Sequence, residues 1–505
     1  MEKNHKIKLT ALLLLILISI ISIILCALIV SCGGDNKADD ANNNNDQNQN
    51  PANGGEPGDT VTANPLDELY PYPEHDFNGE TIHILARKDD WAGGSQDFED
   101  LKVEAETGEV FNDAVYYRTR KVEEKYNMQL NVTYVADPNA TISKLIKAGD
   151  DEYQIIQEKL MFMSSSLVPY NYLLDLKTVS SINLDAPWYN QNAIRDLSIN
   201  NKINTLGGDM TISDKSGIMM NVFNKKLAEQ YAIENLYNTV REGKWTLDKM
   251  YELIIQTTVD LNGDGKLTFK DDQWGLVSED YMGWDLAIAS GNRLGELDEN
   301  GIPYITCTTE KYVSDYEKIK KVMYEKDGRV ETADDVEHVR IFYENRAFIS
   351  NDVMAQIAML RGMEEDFGII PLPKQDENQK DYIASISAWT SRFIAVPSTC
   401  NNPETVGAVI DAMSRESTNT ISPAYFDNLL YQKIARDEDS IEMLQNIFAS
   451  AIYDIAAVYN WGGIWDEQQR FIYGKKEDYI GNYERIEGKV LKDMEKTIET
   501  MHQFD

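Results

Sequence analysis

Along the chain, short apolar runs alternate with longer stretches whose apolar residues recur at helical spacing, a pattern that predicts α/β layers. Residues 81–86 (Thr-Ile-His-Ile-Leu-Ala) read as a strand that breaks into the polar turn 87–94, which holds Trp91. Phe111, Val115, Val122 and Tyr126 share one helical face, and residues 128–135 read as the next strand, so the order is β-α-β. Residues 151–156 are strand-like, 173–176 close a helical stretch, and 199–206 run into the turn Gly207-Gly208-Asp209. A strand over 218–223 follows, then Asn224-Lys225-Lys226-Leu227, and later Gly243-Lys244-Trp245-Thr246-Leu247-Asp248. Thr246 is placed to cap a helix, with Asp248 favouring its dipole and Met250, Leu253 and Ile254 forming its buried face. Trp245 reads as core.

The N-terminus has a different pattern. Lys3, Lys6 and Lys8 precede an apolar run over residues 11–30, long enough for a membrane span, that ends in Ile29-Val30-Ser31-Cys32. That ending resembles the lipobox at which a bacterial signal peptidase cuts before a lipidated cysteine, so residues 1–31 are expected to be a signal peptide and Cys32 the lipidation site. An uncleaved transmembrane anchor is the alternative. Residues 32–75, rich in Asn, Asp, Gln, Gly and Pro, carry almost nothing apolar to order them and read as a tether reaching roughly 35–40 Å.

With 505 residues, 42% of them hydrophobic, the chain is long enough for two domain-sized units. Its 84 acidic residues against 48 basic ones set the net charge at -36, which argues against nucleic acid as a partner. Removing residues 1–31 takes away three lysines and Glu2 and lowers the charge to -38. Of four cysteines, Cys26 leaves with the signal and Cys32 takes the lipid, so Cys307 and Cys400 remain; two separate buried thiols or one pair are both open.

The strand at 218–223, the Asn224-Lys225-Lys226 segment and the Gly243-Lys244-Trp245-Thr246 helix start resemble the extracellular solute-binding proteins of carbohydrate ABC importers, the maltose-binding protein superfamily. Pro187-Trp188-Tyr189, residues 342–349, Phe367-Gly368-Ile369-Ile370-Pro371-Leu372-Pro373-Lys374 and Ile394-Ala395-Val396-Pro397 are similar to further segments of that family, in the same order. The resemblance runs from about residue 80 to the C-terminus and rests on order more than on any one motif. It implies a two-lobed type II periplasmic-binding-protein-like α/β fold, with the solute held in the cleft between lobes that close on a hinge. Lobe one would comprise 76–210 and 371–435, and lobe two 211–370 and 436–505. The implied role is capture of a carbohydrate, an oligosaccharide, for delivery to importer membrane subunits by a monomeric protein lipid-anchored on the outer face of the cell membrane.

One local motif is sharp. Asp260-Leu261-Asn262-Gly263-Asp264-Gly265-Lys266-Leu267-Thr268-Phe269-Lys270-Asp271 follows the twelve-residue calcium-loop pattern. Side-chain oxygens of Asp260, Asn262 and Asp264 converge at positions one, three and five, Gly265 permits the turn, and the Lys266 carbonyl comes seventh. Asp271 stands where a longer Glu is commoner. A metal-free Asx-rich turn is the alternative, and in either case a surface role is expected, with calcium as a structural cofactor.

For sugar stacking, flat aromatic faces on loops at strand ends are the candidates, which selects Trp91, Trp284 and above all Trp389, and leaves Trp188 and Trp245 to the core. Asp209 at the crossing turn, with Asn351 and Asp352 in Ala347-Phe348-Ile349-Ser350-Asn351-Asp352, are candidates for hydroxyls; that segment lacks the Trp of maltose-binding relatives. The chain carries no nucleophile elbow, zinc motif or phosphate loop, so no enzyme is expected. A surface carbohydrate-active enzyme using two of the many carboxylates, or a calcium-dependent scaffold module, are the alternatives.

Overall fold

The computed structural model describes residues 70, 75–88, 99–279, 282–324, 328–331, 336–426, 435–473 and 478–502. Two sheets organise them. The first has the order β11-β3-β1-β2, in which β1 (Glu80–Arg87), β2 (Met128–Val135) and β3 (Ile155–Lys159) are parallel and β11 (Arg392–Ala395) is antiparallel to β3. The second has the order β10-β4-β9-β5-β8, built from β4 (Met219–Asn224), β5 (Trp274–Ser278), β8 (Arg329–Glu331), β9 (Ala347–Val353) and β10 (Phe367–Ile370). Here β5 is parallel to β8 and β9, whereas β4 is antiparallel to β9 and β10. A two-stranded ribbon, β6 (Gly295–Leu297) with β7 (Pro303–Ile305), stands apart.

The helices take the places that amphipathicity dictates. Val110–Tyr126 buries Phe111, Val115, Val122 and Tyr126 between β1 and β2, and Asn127 ends it in the left-handed conformation. Thr246 caps Leu247–Thr257 by accepting from the Lys249 amide, and that helix buries Met250, Leu253 and Ile254. Trp188 and Trp245 are core: the Trp188 indole donates to Asp411 Oδ1 at 3.2 Å and that of Trp245 to the Pro371 carbonyl at 2.8 Å. The stretch read as helical up to residue 176 is less regular, with a helix over Leu160–Ser166 and 3₁₀ turns at Val168–Tyr170 and Leu176–Thr178.

Two connections between the sheets matter for the site. The chain passes from the first sheet through residues 207–218 into the start of β4. It returns from the end of β10 through residues 371–391 into the start of β11. Both connections join the same edges, where the parallel strands of each sheet end. Backbone bonds tie them together: the Met219 amide donates to the Ser385 carbonyl and the Ser387 amide to the Gly217 carbonyl, while the Leu160 and Met161 amides donate to Ser391 and Ala388 carbonyls. Gly217 is obligatory here, because a Cβ would lie 2.4 Å from Ser391 Oγ and 2.5 Å from the Ser387 carbonyl oxygen. At the first connection Gly208, at φ 156°, packs against the Trp188 carbonyl with no room for a side chain.

The C-terminal helices span both halves. Glu438–Ala449 packs on β10, where Ser440 Oγ accepts from the Ile369 amide. The terminal helix Tyr479–His502 instead reaches residues near the first sheet, its Met501 carbonyl accepting from Lys202 Nζ and its Thr500 hydroxyl donating to the Pro169 carbonyl.

Candidate functional site

Parallel strands leave their carboxyl-terminal edge open, and in open α/β sheets ligands settle there. At that edge of the first sheet β1 ends in Arg87 and β3 in Glu158-Lys159. Arg87 is oriented by a two-point pair with Glu158: Nε and Nη2 donate to the two carboxylate oxygens, the second at 2.8 Å, and Nη1 donates to the Ala136 carbonyl at 2.6 Å. The Glu158 side chain is fully buried and that of Arg87 is 13% exposed. Burial raises the Glu158 pKa above the ordinary carboxylate range, outweighing the opposing pull of Arg87 and Lys159.

The neighbouring groups are aromatic. Arg87 lies over the Phe162 ring at 5.3 Å, Phe162 meets Trp389 edge-to-face at 6.2 Å, and the Lys159 ammonium sits 3.4 Å from the centre of a Trp389 ring. Trp389, in the 371–391 connection, is 40% exposed, whereas Ala388 before it and Ser391 beyond it are buried. A cavity of about 510 Å³ opens beside them, lined by Arg87, Ala136, Asp137, Asn139, Phe162 and Ser166. The arrangement is a partly exposed aromatic platform beside two held cations, with a cavity adjoining.

The other sequence candidates are dispersed. Trp91 lies outside the described residues, as does Cys32. Asp209 is held at the first connection, accepting from the Thr418 hydroxyl at 2.8 Å and facing Lys215 Nζ at 3.5 Å. Lys215 also donates to Asp214, whose carboxyl is pushed up to about 6 by burial against the pull of that ammonium. Trp284 is buried within the helix Met282–Ala289. Asn351 and Asp352 are buried in the inner strand β9; Asn351 donates to Asn221 Oδ1 and the Met220 carbonyl, and Asp352 binds His338 and the Ser350 hydroxyl. Arg87, Glu158, Lys159 and Phe162 were missed by sequence reasoning. Their one signal is the run Ile155-Ile156-Gln157-Glu158-Lys159-Leu160, where charges extend an apolar strand directly into an apolar helix.

The fold has counterparts among solved structures. A cyclo/maltodextrin-binding protein complexed with maltotetraose is 12% identical, with a TM-score of 0.54 over 83% of this chain and 98% of that one. A solute-binding protein of an ABC transporter from Thermotoga lettingae, bound with α-D-tagatose, is 10% identical, with a TM-score of 0.54 over 83% and 100%. The two-lobed fold is that of the type II solute-binding proteins. An ABC substrate-binding protein from Listeria monocytogenes in complex with cycloalternan is also similar, at 12% identity and a TM-score of 0.50 over 84% and 99%. The sequence matches no family profile and no curated relative. The two connections run between the two sheets of this fold, and Trp389 belongs to the second of them. Among the described residues no helix is long and apolar enough to cross a membrane.

The candidate calcium loop lies at the start of β5, where Val259 and Gln273 pair in an antiparallel bridge. Asp260 accepts from the Gly263 and Gly265 amides, Asn262 from Asp264, and Asp264 from Lys266, at 2.7–2.9 Å. Gly263 and Gly265 take the left-handed turns. The carboxylate that closes the loop on itself is Asp272, which accepts from the Leu261 and Thr268 amides and has its pKa lowered chiefly by the Thr268 bond. The residue types are those of a calcium loop, and each accepting oxygen keeps a second lone pair. Among the described residues, however, no three acidic, His or Cys groups are gathered into a metal cage. Cys307 and Cys400 are both free thiols and buried.

Proposed function

We propose that this protein captures a carbohydrate in the cleft between its lobes and presents it to the membrane subunits of an ABC importer, without transforming it. The observation that carries the reading is Trp389: a large indole left 40% exposed on a connecting segment, next to oriented cations and a cavity. Pyranose rings offer apolar C–H faces to such a platform, and charged donors at its rim serve hydroxyl oxygens. The sugars bound in structures of the same fold support the reading. So does the N-terminal pattern, which fits residues 1–31 as a signal peptide and Cys32 as the anchor; the intact mass of the mature N-terminus reads this directly.

Trp389→Ala is expected to weaken binding of the carbohydrate by roughly 1–3 kcal/mol, on the scale of bases stacked on aromatic rings, with little change in the melting temperature of the unliganded protein. A core Trp truncation would instead cost about 3–5 kcal/mol of folding stability. Intact affinity in a destabilised variant contradicts the platform role.

We further propose that the 260–271 loop binds calcium with roughly 10⁻⁴–10⁻³ M affinity, drawing Asp260, Asn262, Asp264, the Lys266 carbonyl and Asp271 around the ion and stiffening a surface loop. Calcium is then expected to raise the melting temperature, and Asp264→Ala to abolish that rise while leaving carbohydrate affinity unchanged. Identical melting curves with calcium and with chelator would remove the ion from the account.

A further inference from the structure

A two-lobed protein that closes on a solute must rotate its lobes about a hinge, so a stiff element attached to both halves bears on that motion. The terminal helix Tyr479–His502 is such an element; its 24 residues span about 36 Å. Its C-terminal end is fastened to the half built on the first sheet. Lys202 Nζ donates to the Met501 carbonyl at 2.6 Å, the Thr500 hydroxyl donates to the Pro169 carbonyl at 3.4 Å, and the Lys496 ammonium lies 3.4 Å from the centre of the Tyr170 ring. Pro169 and Tyr170 follow the helix that leaves β3, and the stretch carrying Lys202 continues to Leu206, which bridges to Ile394 of β11. Just before that end the turn Trp461–Gly463 holds the helix as well: the Trp461 indole donates to Thr497 Oγ1 at 2.9 Å and the Gly462 amide to Asp493 Oδ2 at 3.0 Å. The turn follows Ile455–Tyr459, which packs on Leu160–Ser166 in the same half.

The other end meets the half built on the second sheet. Tyr479, in the first turn, stacks on Tyr312 and Tyr316, with ring centres 5.5 and 5.8 Å apart and planes inclined by 24° and 29°. All three tyrosines are buried. Tyr312 and Tyr316 stand one turn apart on the helix Glu310–Tyr324, which packs on Leu247–Thr257 and through it on β5. Beside them Ile464–Tyr473 packs on Met282–Ala289. The C-terminal helices are therefore rooted in the first half and lean on the second. Bonds of fixed direction to backbone carbonyls hold the root. Ring faces, whose attraction follows the area in contact, hold the leaning face, so that face is the one able to part and re-form as the lobes rotate.

We propose that the terminal helix is a brace between the lobes, and that the stack of Tyr479 on Tyr312 and Tyr316 holds the angle between them until the lobes rotate. The proposal concerns the motion and stands whatever the solute is. The test is the distance distribution between two spin labels in the mature chain without solute. Both labels ride on unnatural amino acids, which leave the cysteines untouched: one replaces Lys144 on the helix Pro138–Ala148 of the first half, the other Glu252 on the helix Leu247–Thr257 of the second. The wild type is expected to give one narrow distance. Tyr479→Ala and Tyr312→Ala remove the same contact from its two sides, so each should broaden the distribution or add a second distance, and the double variant should be no broader than either. Tyr479→Phe keeps the ring and should keep the wild-type distance. Val115→Ala, a buried change inside the first half, should lower the melting temperature and leave the distance alone. Either alanine variant alone, if the other fails to fold, still decides the matter. Wild-type width in a folded alanine variant overturns the brace. So does a wild type already as broad as the variants, a double variant broader than both singles, or the same broadening from Val115→Ala, which would mean general loosening of the fold.

Discussion

Arg87→Met is expected to destabilise the fold by about 3–5 kcal/mol, the scale observed when one partner of a buried ion pair is removed. The loss comes less from the vanished attraction than from the carboxylate left behind. The Glu158 side chain is fully buried, its two oxygens are served by Arg87, and burial already raises its pKa. A carboxyl whose folded pKa lies above its unfolded value binds more protons when folded, so its contribution to stability declines as pH rises through the interval between the two values. Without Arg87 the folded pKa rises further, and the deficit of Arg87→Met should shrink as pH falls toward the carboxylate range. The double change Arg87→Met with Glu158→Leu should recover most of the stability, since an apolar pair leaves no charge behind. Urea unfolding at pH 5 and pH 8 checks both statements, and a small, pH-independent deficit would mean that water reaches Glu158.

Asp285 should produce the other large effect, with the opposite sign. It sits in the first turn of the buried helix Met282–Ala289, is 2% exposed, and its Oδ2 meets no hydrogen-bond partner among the described residues. Burial pushes its carboxyl up to about 8; contact with Ser385 opposes the shift and the nearby charge of Glu279 adds to it. Folded protein therefore keeps a proton that the unfolded chain releases near pH 4, and this residue's contribution to stability falls as pH rises from about 4 to about 8, by at most about 1.4 kcal/mol per pH unit. Asp285→Asn copies the shape of the neutral acid and titrates nowhere. Its melting temperature should stay near that of the wild type in mild acid and exceed it increasingly toward pH 8. Parallel stability profiles for the two proteins would show that Asp285 is ionised and solvated in the fold.

Much of this fold is legible in the chain because its elements obey simple periodicities. The face Phe111, Val115, Val122 and Tyr126, the Thr246 cap and the strand at Met219–Asn224 all stand where the apolar pattern puts them, since burial and capping are local consequences of residue order. The cleft edge was harder to read. β3 was expected at 151–156 but occupies Ile155–Lys159, because its last three residues are polar and still buried. That burial depends on contacts from β1, from β11 and from the 371–391 connection, and no one-dimensional pattern contains them. Arg87 was likewise assigned to a polar turn, although it is the last residue of β1 and the partner of Glu158. Asn351 and Asp352 show the reverse case: polar residues in a sequence invite a ligand, yet β9 runs through the middle of its sheet and their bonds go to Asn221, His338 and Ser350. The exposure of Trp389 followed from its place on a connection, while the lysine across its face came from a different strand.

The central claim is that the cleft takes up a carbohydrate and releases it unchanged. Calorimetric titration of the mature protein against a panel of neutral and acidic oligosaccharides, with the sugars recovered and analysed afterwards, tests this most directly. One saturable site per chain is expected for at least one carbohydrate, with every sugar recovered intact. Cleaved or modified sugar in the recovered material, or saturable binding of a peptide with no heat from any carbohydrate, would contradict it.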